Sequence, residues 1–241
     1  MKLLFLVMPF LIGASAQAAL LLHQSLSLSE KMDGLDGFLE VLRDERLTPD
    51  DLKVLQEHDP ESNLLDGPRF KSSPPQVGVV QLKDRAGRIL KTLSLEKTYG
   101  NLTTKDLRDG GKRVIFVTQD YSAGMGSYNG PISQVLEVSP TSMAWAEARK
   151  SGVGRAVKIS LMQSLKTGWG YGPSTQAKGN DILKVSCRPS DLANGDISFK
   201  TTYSRFHRES KNWILTQKVE NGCWENEGLD GRDLPDQKKF P

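Results

Sequence analysis

Eight short runs of β-branched and apolar residues, separated by turn signals, follow one another from Val77 onward, and no long helical pattern interrupts them. Runs of this kind are typical of β-strands. The predicted strands are Val77–Leu82, Ile89–Leu95, Arg113–Thr118, Ile132–Val138, Ala156–Leu161, Ile182–Cys187, Ile197–Tyr203 and Trp213–Val219. Met143–Ala148 is ambiguous between a strand and a short helix. Because strands without helices between them pair antiparallel, the sequence predicts a mainly β fold, an antiparallel sheet, sandwich or barrel-like arrangement, rather than a βαβ fold.

The two cysteines, Cys187 and Cys223, both lie in the C-terminal third of the chain. An even pair in an oxidising compartment is typical of a disulfide, and the lack of a CxxC motif argues against a redox or metal site. The strands on either side of a predicted loop, Arg205–Asn212, form the clearest hairpin of the sequence. We therefore predict a disulfide that joins neighbouring strands near one edge of the sheet and stabilises the fold by roughly 3–4 kcal/mol through loop closure.

From Ser27 to His58 the pattern is helical instead. Apolar residues recur there at three- and four-residue spacing and give one apolar stripe. They are Leu35, Phe38, Leu39 and Leu42. Thr48 suits an N-cap and Pro49 the first helical position, so a second helix is predicted to begin there and to end before Pro60. The segment is predicted to form a short helical hairpin that packs on the domain that follows.

Residues 66–76 contain three prolines and few side chains suited to burial, which predicts a linker. The predicted organisation is therefore a helical hairpin at 19–65, the linker, and an antiparallel β domain with the disulfide at 77–241.

The first 18 residues have the pattern of a cleavable signal peptide. Lys2 supplies a positive charge, Leu3–Ile12 form an apolar run, and Ala16-Gln17-Ala18 offers small residues around a cleavage point before Ala19. The apolar run has about ten residues, whereas a helix that crosses a bilayer needs about 20. We therefore expect a soluble exported protein, periplasmic or extracellular, with no membrane span after cleavage.

The composition limits the class of partner. Removal of Lys2 with the signal peptide lowers the 32 basic residues by one, against 29 acidic ones, so the remaining chain is close to neutral. Proteins that bind phosphate backbones usually carry a strong basic surplus or a basic stripe. We expect no nucleic-acid partner, and we interpret Arg205, Arg208 and Lys211 as solvated.

The segment Leu102–Val138 resembles one FG-GAP repeat of the integrin and β-propeller type, in which a strand enters a calcium-binding loop and an apolar strand follows. The outline of that loop is kept by Asp106, Asp109, Gly110 and Gly111, and the strand behind it by Val114–Val117. Arg108, Lys112 and Arg113 bring positive charge into a loop where calcium needs six to eight oxygen ligands, so we expect no metal there. The unit occurs once, which does not predict a propeller.

The segment between two predicted strands, 120–131, is rich in glycine, tyrosine and serine, a composition typical of recognition loops. Its candidate binding residues are Asp120, Tyr121, Ser122, Ser127 and Tyr128. The alternative is a long hairpin connection without a function. The segment is weakly similar to the Ser-Gly-rich loop of periplasmic inhibitors of C-type lysozyme, and Leu161–Trp169 and Cys223–Asn226 resemble exported bacterial proteins of unknown function.

A second aromatic, glycine-rich segment, Trp169–Pro173, is interpreted as a loop. If exposed, Trp169 and Tyr171 are suited to stack on a sugar or a peptide; if buried, they close one end of a core. The choice between the two depends on their exposure.

The sequence shows no catalytic set. His23, His58 and His207 have no metal-ligand spacing, and the serine of Gly126-Ser127-Tyr128 is not in a nucleophile-elbow frame. We expect no metal and no cofactor. The favoured function is a non-catalytic binding or interaction module that contacts an envelope protein or a glycan; the alternatives are a cell-envelope hydrolase with an unrecognised site, a periplasmic inhibitor, and a structural envelope protein.

Overall fold

The structure is a computed structural model. It describes residues 19–31, 35–56, 68–107, 113–119, 130–151, 155–176, 178–191, 197–209, 212–225 and 234–241. The signal-peptide prediction, the five candidate residues of segment 120–131, His58, and the residues Asp109, Gly110 and Gly111 of the FG-GAP-like loop lie outside these ranges.

The fold is mainly β, as predicted. The strands are β1 Leu20–Ser27, β2 Phe38–Asp44, β3 Val79–Lys83, β4 Ile89–Ser94, β5 Asn101–Asp106, β6 Arg113–Gln119, β7 Ile132–Ser139, β8 Ser142–Trp145, β9 Glu147–Lys150, β10 Ala156–Lys158, β11 Ser160–Met162, β12 Thr167–Pro173, β13 Asn180–Asp191, β14 Ile197–Glu209 and β15 Asn212–Asn221. The helices are α1 Leu28–Lys31, α2 Pro49–Gln56 and α3 Pro68–Lys71, with a 3-10 turn at Gln237–Lys239.

These strands form three sheets. Sheet A has the order β1-β2-β3-β4, sheet B has the order β11-β7-β6-β5 with β8 also paired to β7, and sheet C has the order β10-β9-β15-β14-β13-β12. All strand pairs are antiparallel except β15 with β9, which is parallel.

Strand β6 shows how the sheets are layered, because it is buried on both faces. Val114 and Phe116 belong to a core shared with Ile182, Phe206 and Trp213 of sheet C. The alternate residues, Ile115 and Val117, belong to a second core, shared with Leu39, Val41, Val80 and Leu82 of sheet A. Since successive side chains of a strand point to opposite faces, sheet B is the middle layer and each of its faces covers one core.

The first helix of the predicted hairpin is wrong, because residues 38–44 form a strand. Leu39 and Val41 point inward and are fully buried, whereas Phe38 is exposed on the other face. β2 pairs with both β1 and β3, so the backbone hydrogen bonds are made between strands. The burial of alternate side chains outweighs the three- and four-residue spacing that predicted a helix.

The second predicted helix is confirmed as α2. Asp51 N donates to Thr48 Oγ1 at 3.2 Å and Thr48 N donates to an oxygen of Asp51 at 2.6 Å, a reciprocal cap of the helix start. The predicted linker, in contrast, contains α3, whose Phe70 is buried with Leu47, Leu52, Leu55 and Tyr99.

Seven of the eight predicted strands are present, and the eighth, Ala156–Leu161, is divided between β10 of sheet C and β11 of sheet B. The predicted hairpin loop Arg205–Asn212 is wrong. β14 continues to Glu209, because Arg205, Phe206 and His207 are buried and pair with β13 or β15. The ambiguous Met143–Ala148 contains parts of two strands, β8 and β9.

The predicted disulfide is confirmed between Cys187 of β13 and Cys223, which lie 36 residues apart in sequence with their Cα atoms 5.2 Å apart. β14 lies between β13 and β15, so the chain crosses β14 after β15 ends. Gly222 makes this turn with a φ of 95°, a conformation that favours glycine. Thr201 of β14 holds the crossing, since its hydroxyl donates to Gly222 O and accepts from Trp224 N, both at 2.8 Å.

Candidate functional site

Trp169 and Tyr171 lie on an edge strand rather than in a loop, so the prediction that Trp169–Pro173 is a loop is wrong. Strand β12 pairs with β13 along its whole length, with Trp169 opposite Lys184 and Tyr171 opposite Ile182. β12 is the last strand of sheet C, and on its other side Thr167 forms an isolated bridge with Ser164. Glycine is rare in strands, so the three glycines of β12 led to the prediction of a loop.

The glycines of β12 are explained by what covers the outer face of the strand. A Cβ at Gly170 would lie 2.9 Å from a methyl carbon of Leu234, and a Cβ at Gly172 would overlap the side chain of Leu183. On the outer face of β12 there is therefore no room for a side chain at position 170 or 172. The alternate positions, Trp169 and Tyr171, project to the inner face, toward sheet B.

On that inner face three aromatic rings form one cluster. The ring of Phe116 stacks on Trp169 with centroids 5.5 Å apart and 26° between the planes. Tyr171 meets Trp169 edge to face at 5.7 Å and Phe116 at 6.1 Å. Phe116 is fully buried, whereas Trp169 and Tyr171 are only partly buried. Burial raises the pKa of Tyr171 to about 12, so its hydroxyl is neutral at physiological pH.

Strand β5 is the edge strand of sheet B, and its Lys105 contacts Tyr171 of β12. Thr103 is paired with Phe116 and Lys105 with Val114, so both share the inner face of sheet B, and both are exposed. Lys105 Nζ lies 5.2 Å from the centroid of the Tyr171 ring, within reach of a cation–π interaction. We call Lys105, Trp169, Tyr171 and Lys184, with Phe116 beneath them, the aromatic edge.

Lys184 is the most unusual charged group of the aromatic edge. Its ammonium donates to the backbone carbonyl of Ser160 at 2.8 Å. Burial, together with the neighbouring charge of Arg188, lowers the pKa of Lys184 to about 8. Beside it, the indole nitrogen of Trp169 is buried and has no hydrogen-bond partner among the described residues. The residues of the aromatic edge thus include two lysines and no carboxylate.

Strands β6 and β7, which precede and follow the predicted binding segment 120–131 in the chain, are joined by a buried amide pair. Gln119 donates to Gln134 at 2.9 Å and accepts the backbone N–H groups of Glu96 and Lys97 at 2.6 and 3.1 Å. Gln134 in turn donates to the carboxylate of Glu96 at 3.0 Å.

A buried polar cluster lies on the outer face of sheet C, and it was not predicted from the sequence. Arg205 and Asp181 form a buried ion pair at 3.2 Å, and Arg205 also donates to the carbonyl oxygen of Pro173 at 2.9 Å and to an oxygen of Pro241. His207 is buried and contacts Glu209 at 3.0 Å, so the predictions that Arg205 is solvated and that His207 lies in a loop are wrong. The contacts of Arg205 attach the C-terminal segment to sheet C.

The remaining predicted groups have structural partners. His23 contacts Asn101 at 3.0 Å and packs edge to face on Tyr99. Asp106, the described aspartate of the FG-GAP-like segment, ends β5 opposite Arg113. Within the described ranges no group of three or more His, Cys, Asp or Glu side chains is placed to hold a metal. No helix in that part of the chain has the length and apolar content to cross a bilayer.

Comparison of the chain with protein-family models, with curated proteins and with solved structures finds no match. Of the residues of the aromatic edge, Trp169 and Tyr171 were predicted from the sequence, and Lys105, Phe116 and Lys184 were not. The alternation of glycine and aromatic residues in 168–172 is the signal that identifies a strand with one covered face and one aromatic face.

Proposed function

We propose that the protein is an exported, non-catalytic binding protein whose aromatic edge contacts a glycan. The observation that carries the proposal is the position of Trp169 and Tyr171, which are neighbours on an edge strand and keep part of their surface in solvent. Rigid aromatic side chains flanked by a few polar donors are typical of ligand sites, and their flat faces suit the apolar faces of sugar rings.

The packing of the rings supports this use. The stacking of Trp169 on the buried Phe116 fixes the indole, so little side-chain entropy is lost when a ligand covers it. Tyr171 is held edge to face against the same two rings. A sugar chain lying along β12 would contact both rings, whose centroids are 5.7 Å apart.

Export is part of the proposal. It is supported by the signal-peptide pattern of residues 1–18 and by the disulfide, which is typical of oxidising compartments. Ala19, the expected first residue after cleavage, donates its N–H to the carboxylate of Glu45 at 3.0 Å. Mass spectrometry of the protein recovered from the envelope fraction of an expressing bacterium should give Ala19 as the first residue. Retention of residues 1–18 in the cytoplasm would contradict export.

The test of binding is a screen of immobilised envelope and extracellular glycans with the parent protein and with the variants Trp169→Ala and Tyr171→Ala. The matched control is Phe38→Ala, since Phe38 is an exposed aromatic residue on the outer face of sheet A. We expect the two edge variants to lose at least tenfold in affinity for the glycans that the parent binds, and the control to keep it.

The screen also separates the alternatives. Equal binding by the parent and both edge variants would overturn the proposal. Shortening of a bound polysaccharide during incubation would support the hydrolase alternative. Capture of a lysozyme, with no glycan bound, would support the inhibitor alternative.

A further inference from the structure

We infer that the ligand of the aromatic edge is an acidic glycan, whose carboxylate groups pair with Lys184 and Lys105 while its sugar rings cover Trp169 and Tyr171. The inference rests on the proposed function and adds the chemical class of the ligand to it.

The first argument is the environment of Lys184. Its register partners are Trp169 on β12 and Ser204 on β14, and its hydrogen bond goes to the carbonyl of Ser160 on β11. None of these three groups carries a negative charge. Within the described ranges no carboxylate lies within ion-pair distance of this partly buried ammonium. A buried cation without a counter-ion is costly, and a bound anion would remove much of that cost.

The second argument is the contrast with other lysines of the surface. Lys83, Lys158 and Lys166 each pair with a glutamate at 2.6, 2.8 and 2.5 Å respectively. Lys105 instead contacts the face of the Tyr171 ring, and Lys184 donates to a neutral carbonyl. The two lysines of the aromatic edge thus differ from those lysines in having no carboxylate partner among the described residues.

The third argument is the placement of the two charges. Lys184 lies opposite Trp169 in the β12–β13 register, and Lys105 lies over Tyr171. One cation therefore accompanies each of the two partly exposed rings. An acidic glycan offers this same combination, because each acidic sugar unit has an apolar ring face and a carboxylate at its rim. Electrostatic complementarity of this kind gives specificity as well as affinity.

The experiment is calorimetric titration with oligomers of galacturonic acid, glucuronic-acid-containing oligosaccharides and alginate oligomers, each compared with its neutral methyl ester. The variants are Lys184→Met and Lys105→Gln. The matched control is Lys91→Gln, an exposed lysine of β4 in sheet A. We expect at least one acidic series to bind at least tenfold more tightly than its ester. We expect each edge variant to lose about tenfold for that series and the control to lose nothing.

A second readout follows the proton on Lys184. A carboxylate beside the ammonium favours its charged form, so binding at pH 8 should take up as much as half a proton, measured from titrations in buffers of different ionisation enthalpy. The charged group that faces Lys184 from its own strand is Arg188, and the facing groups of β11, β12 and β14 are the neutral Ser160 carbonyl, Trp169 and Ser204. The uptake should disappear in Lys184→Met and remain in Lys91→Gln.

The outcomes distinguish this inference from the proposed function. If acidic and esterified oligomers bind equally and Trp169→Ala removes both, the acidic-ligand inference is overturned and the glycan-binding proposal stands. If an acidic series binds but Lys184→Met and Lys105→Gln bind it like the parent, the inference is also overturned. If no acidic series binds, the inference fails, and the glycan screen alone decides the proposed function.

Discussion

Asp44 is a buried carboxylate that organises the connection between sheet A and the helical segment. It is fully buried and forms an ion pair with Arg46 at 2.7 Å, while its oxygens also accept the backbone N–H groups of Arg46 and Gln76. The hydrogen bond from the Arg46 side chain is the main reason that the pKa of Asp44 is lowered to about 2. The ionised form is therefore the one that the folded state stabilises.

We predict that Asp44→Asn lowers the free energy of unfolding by about 2 kcal/mol at pH 7, since a pKa lowered from 3.8 to about 2 corresponds to roughly that energy. The pKa is depressed in the folded state, so this stability is present above about pH 4 and is lost as the pH falls through about 2. Urea unfolding at pH 7 and at pH 2.5 measures both effects.

The control for this prediction is Asp36→Asn, because Asp36 forms an exposed ion pair with Arg85. Exposed pairs contribute little to stability. A loss in Asp36→Asn as large as that in Asp44→Asn would contradict the role assigned to the buried carboxylate.

At the scale of the element, the disulfide holds the chain where it crosses β14. Because Cys187 and Cys223 close a loop across 36 residues, the double variant Cys187→Ala/Cys223→Ala should lower the free energy of unfolding by about 3 kcal/mol. Denaturant unfolding of the variant and of the reduced parent measures this. Equal stability of the oxidised parent and the double variant would show that the crossing is held by the hydrogen bonds of Thr201 alone.

The strands that sequence reasoning identified are those whose β-branched and apolar residues are contiguous, such as β6 and β13. β2 was assigned to a helix because its leucines also fit helical spacing, and only the pairing with β3 decides between the two patterns. β12 was not predicted because Gly170 and Gly172 are required by the nearby side chains of Leu234 and Leu183, and a local sequence pattern does not contain these contacts.

The same limit applies to the candidate site. Trp169 and Tyr171 stand out in the sequence as aromatic residues among glycines. Phe116 and Lys184 reach them only through the packing of sheet B on sheet C and the register of β13 with β12. Residues that meet across sheets are distant in sequence, and the register between strands is set by the whole fold.

At the scale of the whole molecule, sheet B belongs to both cores, so we predict that the three sheets unfold together. Phe116→Ala and Ile115→Ala remove neighbouring side chains from opposite cores, and each should lower the free energy of unfolding by about 3 kcal/mol or more. Trp213 and Trp169 pack in one core and Trp145 packs against the other. The urea transitions followed by tryptophan fluorescence in the parent and in Trp145→Phe should therefore each coincide with the transition followed by circular dichroism.

Two separate transitions would contradict this prediction. They would show that the two cores unfold independently of each other.

Nuclear magnetic resonance of the indole N–H groups of the four tryptophans shows directly whether a ligand covers the aromatic edge. The signal of Trp169 is identified by its loss in Trp169→Phe. Trp213 is an internal reference, because its buried indole donates to Glu137 at 3.1 Å. On titration with an acidic oligosaccharide, we expect the Trp169 signal to shift until the site is saturated and the Trp213 signal to stay in place. Saturable binding that leaves the Trp169 signal unmoved would contradict the proposed role of the aromatic edge.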